Sequence, residues 1–323
     1  MLKLFLLAAL IFGSWTAWLF FAPLAPRANT TLLLRPGYST HRIAAELKKA
    51  GVIRSELAFR VWHRLHPQPT LKAGEYVFER PARLREVHNR IARGDIYFHV
   101  VTIPEGYTMF DIAKAIQDAG LGSAQDFLQI ARTQTALIAD LAPEAKSLEG
   151  YLFPNTYQFT RTQSLEEMTG EMVHQFRQVA QQIGLNSDVH RTVTLASIVE
   201  KETAVPEERP LVASVYLNRL AKKVALDADP SVIYALLQDG AYTGSLHHAD
   251  LAVRSPYNTY RYPGLPPGPI GNPGRDSLAA ALHPANTQFL YFVSDGNGHH
   301  RFARSLEEHN RNVVSYRHAL GLH

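Results

Sequence analysis

Leu33-Leu34-Arg35-Pro36-Gly37-Tyr38-Ser39 returns 69 residues further on as Thr102-Ile103-Pro104-Glu105-Gly106-Tyr107-Thr108. The echo keeps its offset through Ile43/Ile112, Ala44/Ala113, Ala50/Ala119 and Gly51/Gly120. Each copy reads as a strand, a glycine turn, a Ser or Thr helix cap, and a helix ended by glycine. Two copies are too few for a solenoid; they predict a pair of duplicated small βα units. Between them, residues 71–78 read as a turn and strand, and residues 84–93 as a short helix stopped by Gly94. Residues 31–97 therefore read as a small α+β module, and a strand over 97–103 opens the next unit.

Downstream the pattern changes. Residues 123–222 read as mainly helical: 165–183 with Gly184 as its stop, then 189–203, then 211–222, with Pro206 and Pro210 punctuating the join. Phe289-Leu290-Tyr291-Phe292-Val293 is a strand, Asp295-Gly296-Asn297-Gly298 a turn and Arg301-Phe302-Ala303 a returning strand, with a helix from Ser305. The expected fold class is α+β, divided as 1–27, 28–97 and 98–323, the last part having a helical centre and a terminal hairpin.

The first segment does not read as soluble. Residues 4–23 carry no charge, and Lys3 precedes them. Twenty residues at ~1.5 Å each span ~30 Å, a bilayer core. Trp15, Trp18, Phe20 and Phe21 fall in its second half, where aromatic rings favour an interface. A cleaved signal peptide is the rival reading, since Ala22, Ala25 and Ala28 are small. Lys3 on one side and Arg27 on the other favour a short cytoplasmic N-terminus with the bulk exported. A short linker is read at 28–31. With 46% apolar residues the chain of 323 can bury a sizeable core, and a net charge of +4 is too weak to argue nucleic acid. The lack of cysteine excludes thiol chemistry.

Four segments concentrate polar groups. In Ser197-Ile198-Val199-Glu200-Lys201-Glu202-Thr203, Glu200 shares a helical face with the small Ala196, Ser197, Thr203 and Ala204, whereas Glu202 points elsewhere. Periodicity alone does not choose between the two. In Leu226-Asp227-Ala228-Asp229-Pro230, Asp229 reads as a helix cap with Pro230 at the first helical position, leaving Asp227 free as a second carboxylate. Ser255-Pro256-Tyr257-Asn258-Thr259-Tyr260 and the proline-rich run through Asn272-Pro273-Gly274 suit sugar stacking and hydrogen bonding, or form a structural loop. Leu148-Glu149-Gly150-Tyr151 reads as a loop entering a strand. The pairs His247-His248 and His299-His300 lack metal-ligand spacing, so neither metal nor cofactor is expected; no phosphate-cradling motif occurs.

Taken in order, LEGYLFPNTY, ASIVEKET, SVYLNRL, DPSVIYAL, SPYNTYRYPGLPPGPIGNPG and LYFVSDGNGHHRFARSLEEHN resemble the MltG (YceG-like) family of endolytic murein transglycosylases, over nearly the whole chain. The resemblance implies a single-pass inner-membrane anchor, a LysM-like module at 28–97 and a periplasmic YceG-like catalytic domain at 98–323. It implies that Glu200, the first Glu of the VEKE motif, is the acid/base. It implies that Glu149, Tyr151, Ser197, Asn218, Asp229, Tyr234, Asn258, Tyr260 and Pro266 bind substrate. The expected partners are peptidoglycan glycan strands, the inner membrane and cell-wall synthases, with no nucleic acid. Asp227 stands where relatives often carry Gln. The alternatives are a muramidase using Glu200 with Asp227 or Asp229, and a non-enzymatic wall-binding scaffold.

Overall fold

The computed structural model describes residues 1–25, 29–66 and 70–319. The linker read at 28–31 falls partly outside the described residues, as do Arg27 and Ala28, on which the orientation and signal-cleavage readings drew. The chain forms two compact units, Met1–Val100 with Gln158–Ser164, and Val101–Tyr157 with Leu165–His323.

The first unit begins with α1 (Leu2–Phe21), the one helix among the described residues long and apolar enough to cross a membrane. It continues with β1 (Thr30–Leu34), α2 (Thr40–Lys49), α3 (Glu56–Leu65), β2 (Gly74–Phe78) and α4 (Leu84–Arg93). β1 and β2 pair antiparallel, Leu32 opposite Tyr76. Ser39 accepts a hydrogen bond from the Arg42 amide and so caps α2, whose Ile43, Ala44 and Leu47 form one buried face. Gly94 stops α4 in the left-handed conformation that only glycine adopts cheaply. These faces, with Phe59, Tyr76, Val87 and Ile91, close a single core. Glu75, buried on β2, accepts hydrogen bonds from His99 (2.7 Å) and Arg161 (3.1 Å), which ties the returning segment 158–164 to this unit.

The last turn of α1 is built into that unit. Leu19 and Phe20 pack on its core, and the Phe20 and Trp62 rings lie 6.3 Å apart. The Arg54 guanidinium donates to the carbonyls of Ala22 (2.6 Å) and Pro23 (2.8 Å) and sits 4.4 Å above the Trp18 ring. Two carbonyls that the helix end leaves without partners are thereby satisfied.

The chain passes between units in β3 (His99–Thr102), which pairs with β4 (Thr156–Phe159). α5 (Met109–Asp118) and α6 (Ala124–Thr133) lie between them. The repeat thus extends further than its sequence echo, because each copy runs strand, helix, helix, strand. Its details recur: Ser39 and Thr108 cap the first helices, Ser55 and Ser123 the second. Ala50 and Ala119 close the first helices at ψ −5°, each followed by a left-handed glycine, Gly51 at φ 70° and Gly120 at φ 68°.

The rest of the second unit comprises α7 (Leu165–Gln182), α8 (Val189–Glu202), α9 (Arg209–Ala221), α10 (Asp229–Gln238), α11 (Arg275–Leu282), the hairpin β5 (Tyr291–Ser294) with β6 (His300–Ala303), and α12 (Leu306–Ala319). α8 is its axis, touching α9, α10 and α11. Seven consecutive residues of α8, from Val193 to Val199, are buried. Its buried hydroxyls bond back into the helix, Thr194 to the His190 carbonyl and Ser197 to that of Thr194. α9 starts two residues earlier than its pattern suggested, since Pro210 fits the first turn, where no amide partner is needed. α10 also departs from expectation. Its cap residue is Ala228, and Asp229 is the first helical residue with Pro230 second. The Ala228 amide donates to the Thr259 hydroxyl, no side chain caps the helix, and the Asp229 carboxylate accepts from the Tyr260 hydroxyl.

Candidate active site

The two glutamates that end α8 face different surroundings. Glu200 is almost wholly buried and accepts from the Arg209 guanidinium (3.1 Å) and the Gly274 amide (2.9 Å). Arg209, itself buried, also reaches Glu105 at 3.5 Å. Burial and the neighbouring Glu200 push the Glu105 carboxyl up, against the pull of Arg209. A Cβ at Gly274 would meet the Glu105 carboxyl, which would have to swing aside to admit it. The Glu200 carboxylate thus pins the loop at Gly274 onto α8, and Arg209 links it to Glu105.

Glu202 lies about two residues of helical rotation away and lines a cavity of about 340 Å³. Tyr216, Arg219, Asp227, Asp229, Tyr260 and Tyr291 line it as well. The Tyr216 hydroxyl donates to Glu202 at 2.7 Å. Burial raises the Glu202 carboxyl above the ordinary range; the Tyr216 hydrogen bond opposes the rise, and the charge of Asp229 adds to it. Tyr260 donates to Asp229 at 2.6 Å. Asp227 is not free: it is ion-paired with Arg219 at 2.7 Å and held at φ 50°. Arg219 in turn sits 5.5 Å over the Tyr291 ring. The cavity therefore presents three carboxyls, one paired cation, and aromatic faces, the mixture that binds a ring bearing hydroxyls.

Of the residues expected to bind substrate, Asp229 and Tyr260 line this cavity. The others are engaged within the fold. Glu149, 1% exposed, accepts from the Met109 amide with both oxygens (3.0 and 2.9 Å) and from Asn272 (2.8 Å). Burial pushes it up to about 7, against the Met109 and Tyr234 hydrogen bonds. Tyr234 is buried beside it. Tyr151 is buried with its hydroxyl 2.8 Å from His190. Ser197 accepts from the Ile270 amide at 3.0 Å and seats the proline-rich loop on α8, and Pro266 of that loop is buried. Asn258 donates to the carbonyls of Leu251 and Val253, and Asn218 to those of Thr287 and Phe289. The amide donors of both are spent on chain carbonyls, so these two side chains shape the walls and do not reach into the cavity. His299 and His300 converge on Glu208, at 3.2 and 2.6 Å.

Sequence reasoning missed Tyr216, Arg219 and Tyr291. The hairpin aromatics signalled a strand, but nothing in a strand's pattern tells which of its faces a cavity will use. In the sequence Asn272 reads only as part of a loop. Its one side chain accepts from the Leu152 amide and donates to the Tyr107 carbonyl and to Glu149.

Fold and site together define an α+β protein with an apolar N-terminal helix and a carboxyl- and tyrosine-lined cavity at the end of a buried helix. The profile of the YceG-like family matches residues 32–315, and the chain belongs to that family. It is 34% identical to the endolytic murein transglycosylase of Bacillus subtilis, over 91% of this chain and 87% of that one. It is 28% identical to the endolytic murein transglycosylase of Streptococcus pneumoniae (strain D39), over 88% of this chain, and spans 58% of that protein's length. Among solved structures it resembles a yceG-like protein of Listeria monocytogenes at 34% identity and a TM-score of 0.57, over 87% of this chain and 98% of that one.

Proposed function

We propose that the chain is a lytic transglycosylase that cleaves peptidoglycan glycan strands internally, with Glu202 as its acid/base. The observation that carries the assignment is the position of Glu202 in a cavity, with its carboxyl raised by burial and by Asp229. A general acid must hold its proton near neutral pH and must reach the substrate. Glu200, which the motif resemblance favours, is enclosed between Arg209 and Gly274 and serves better as an anchor for the loop at Gly274 and the start of α9.

In this reading a muramic acid ring and its neighbour occupy the cavity against Tyr260 and Tyr291. Protonated Glu202 gives its proton to the glycosidic oxygen as the C1–O bond breaks. Asp229 offsets the positive charge that develops on the ring. The Glu202 carboxylate then takes the proton of the ring's own C6 hydroxyl, whose oxygen closes on C1. The product is a 1,6-anhydro end; no water enters and the carboxyl is restored. Holding the C6 hydroxyl in place makes the second step intramolecular.

α1 is proposed as a single-pass anchor at the inner membrane, with the remainder of the described chain on the periplasmic side. There the enzyme would meet nascent strands beside the synthases and terminate their elongation. The strand-helix-helix-strand order of the first unit supports a LysM-like reading, with a role in holding glycan. The second reading is a muramidase in which Asp229 or Asp227 activates water; the presence of both in the cavity with Glu202 favours its consideration.

The test is product analysis by mass spectrometry with the full chain in detergent on uncrosslinked strands. Anhydro ends are expected from the wild type and not from Glu202→Gln, with a rate loss of roughly 10²–10⁴. Reducing ends would identify a muramidase. Anhydro ends at full rate from Glu202→Gln, together with their loss in a stably folded Glu200→Gln, would return the acid to Glu200. No cleavage by any form would leave a wall-binding scaffold.

A further inference from the structure

The exposed positions of α3 form one stripe. Leu57, Val61 and Leu65 recur every four residues and are 65%, 39% and 70% exposed. Arg60 and Arg64, also exposed, flank them. The other side of α3 buries Ala58 and Phe59 in the core of the first unit. Residues four apart lie one above the other on a helix, so the three aliphatic side chains make a continuous apolar strip edged by arginines. Glu56, the only acidic residue of α3, is occupied by Lys48 at 3.3 Å.

The position of α1 indicates what covers this strip. Its 20 residues, at ~1.5 Å each, reach ~30 Å, the thickness of the hydrocarbon layer, so its last turn lies at the bilayer boundary. That turn is the part that meets the first unit. Phe20 packs on Trp62, a residue of α3 itself, and Arg54, just before α3, holds the carbonyls of Ala22 and Pro23. α3 is therefore fixed at the depth where acyl chains give way to head groups. An amphipathic helix with aliphatic residues on one face and arginines at its edges suits that layer, because arginine stems lie along the apolar surface while the guanidinium reaches phosphate.

We propose that α3 rests in the interfacial layer of the bilayer that α1 enters. Leu57, Val61 and Leu65 insert below the head groups, and Arg60 and Arg64 meet anionic phosphates. The inference rests on the reading of α1 as a membrane helix and is independent of the catalytic assignment. It makes the first unit a two-point attachment, which sets its tilt and its rotation about α1.

The chain has no cysteine, so single labels can be placed cleanly. Leu57→Cys, Val61→Cys, Leu65→Cys and the control Arg42→Cys would each carry a polarity-sensitive fluorophore. The full chain would be reconstituted in phosphatidylethanolamine/phosphatidylglycerol vesicles with nitroxide-bearing acyl chains, and Leu10→Cys would report on α1. Labels at 57, 61 and 65 are expected to be blue-shifted and quenched severalfold more than the label at 42, with quenching reduced in vesicles lacking phosphatidylglycerol. Labels at 57, 61 and 65 as solvent-exposed as that at 42, while the label at 10 is quenched, would overturn the proposal and leave the anchor intact. An unquenched label at 10 would instead remove the anchor on which it stands. Labels at 61 and 65 shielded from water but not reached by lipid nitroxide would assign the strip to a protein partner and also overturn it.

Discussion

Glu200 and Glu202 differ by two positions on one helix and by everything around them. Glu200 completes an ion pair inside the fold, and removing one member of a buried pair typically costs about 3–5 kcal/mol. Glu200→Gln should therefore lower the melting temperature, whereas Glu202→Gln should leave it nearly unchanged. The cavity also makes opposed predictions about pH. As an acid Glu202 works while protonated, so the rate falls as pH rises through its pKa. Tyr216 donates to the ionised form; Tyr216→Phe should raise the pKa and move this limb of the kcat/KM profile to higher pH. Asp229 repels the ionised form; Asp229→Asn should move the limb to lower pH. A limb that stays fixed in both variants would place the acid elsewhere. None of this was visible in the spacing of Glu-Lys-Glu, because a helical wheel separates two faces without saying which one meets a cavity.

At the level of elements, a single buried carboxylate joins α5 to the loop after α6. Glu149 takes the Met109 amide at the start of α5, where the first helical amides lack partners, and binds Asn272 of the proline-rich loop. Burial raises it to about 7, against about 4.5 for an unfolded glutamate. Between those values the folded chain holds a proton that the unfolded chain has lost. The resulting stabilisation is full below pH ~4.5 and is lost as pH rises through ~7, an effect of about 3 kcal/mol. Denaturant unfolding across this range should show the slope in the wild type and lose it in Glu149→Gln. The duplicated strand-helix-helix-strand units were half legible. Their first helices share glycine stops and hydroxyl caps at a fixed offset, which sequence displays directly. The second helices share only the serine caps Ser55 and Ser123, offset by one residue less, too faint to read without the paired strands.

For the whole molecule, the N-terminal helix is part of a folded unit and not a bare tether. Arg54→Ala removes two hydrogen bonds to carbonyls at the end of α1 and the contact over Trp18, a loss of about 1–3 kcal/mol. Calorimetry of the full chain in detergent should show a lowered transition for the first unit. Cleavage of soluble strands should persist, because every residue lining the Glu202 cavity belongs to the second unit.

The sequence by itself determined the apolar first helix, the α+β class, the duplicated capped helices, the helical centre and the family. Each depends on local information: a run of apolar residues, a period, a cap, a glycine stop, or an ordered set of motifs. It also offered two glutamates of one helix as candidates for the acid. Tertiary structure alone decided that Arg209 and Gly274 enclose one of them while Tyr216, Asp229 and Tyr260 surround the other. It likewise decided that Asn218, Asn258 and Glu149 hold loops together. The physical reason is that a carboxyl or amide has the same local signature whether it faces solvent, a substrate or a carbonyl from another part of the chain. Its chemistry follows from partners that lie far away in sequence and meet it only after folding.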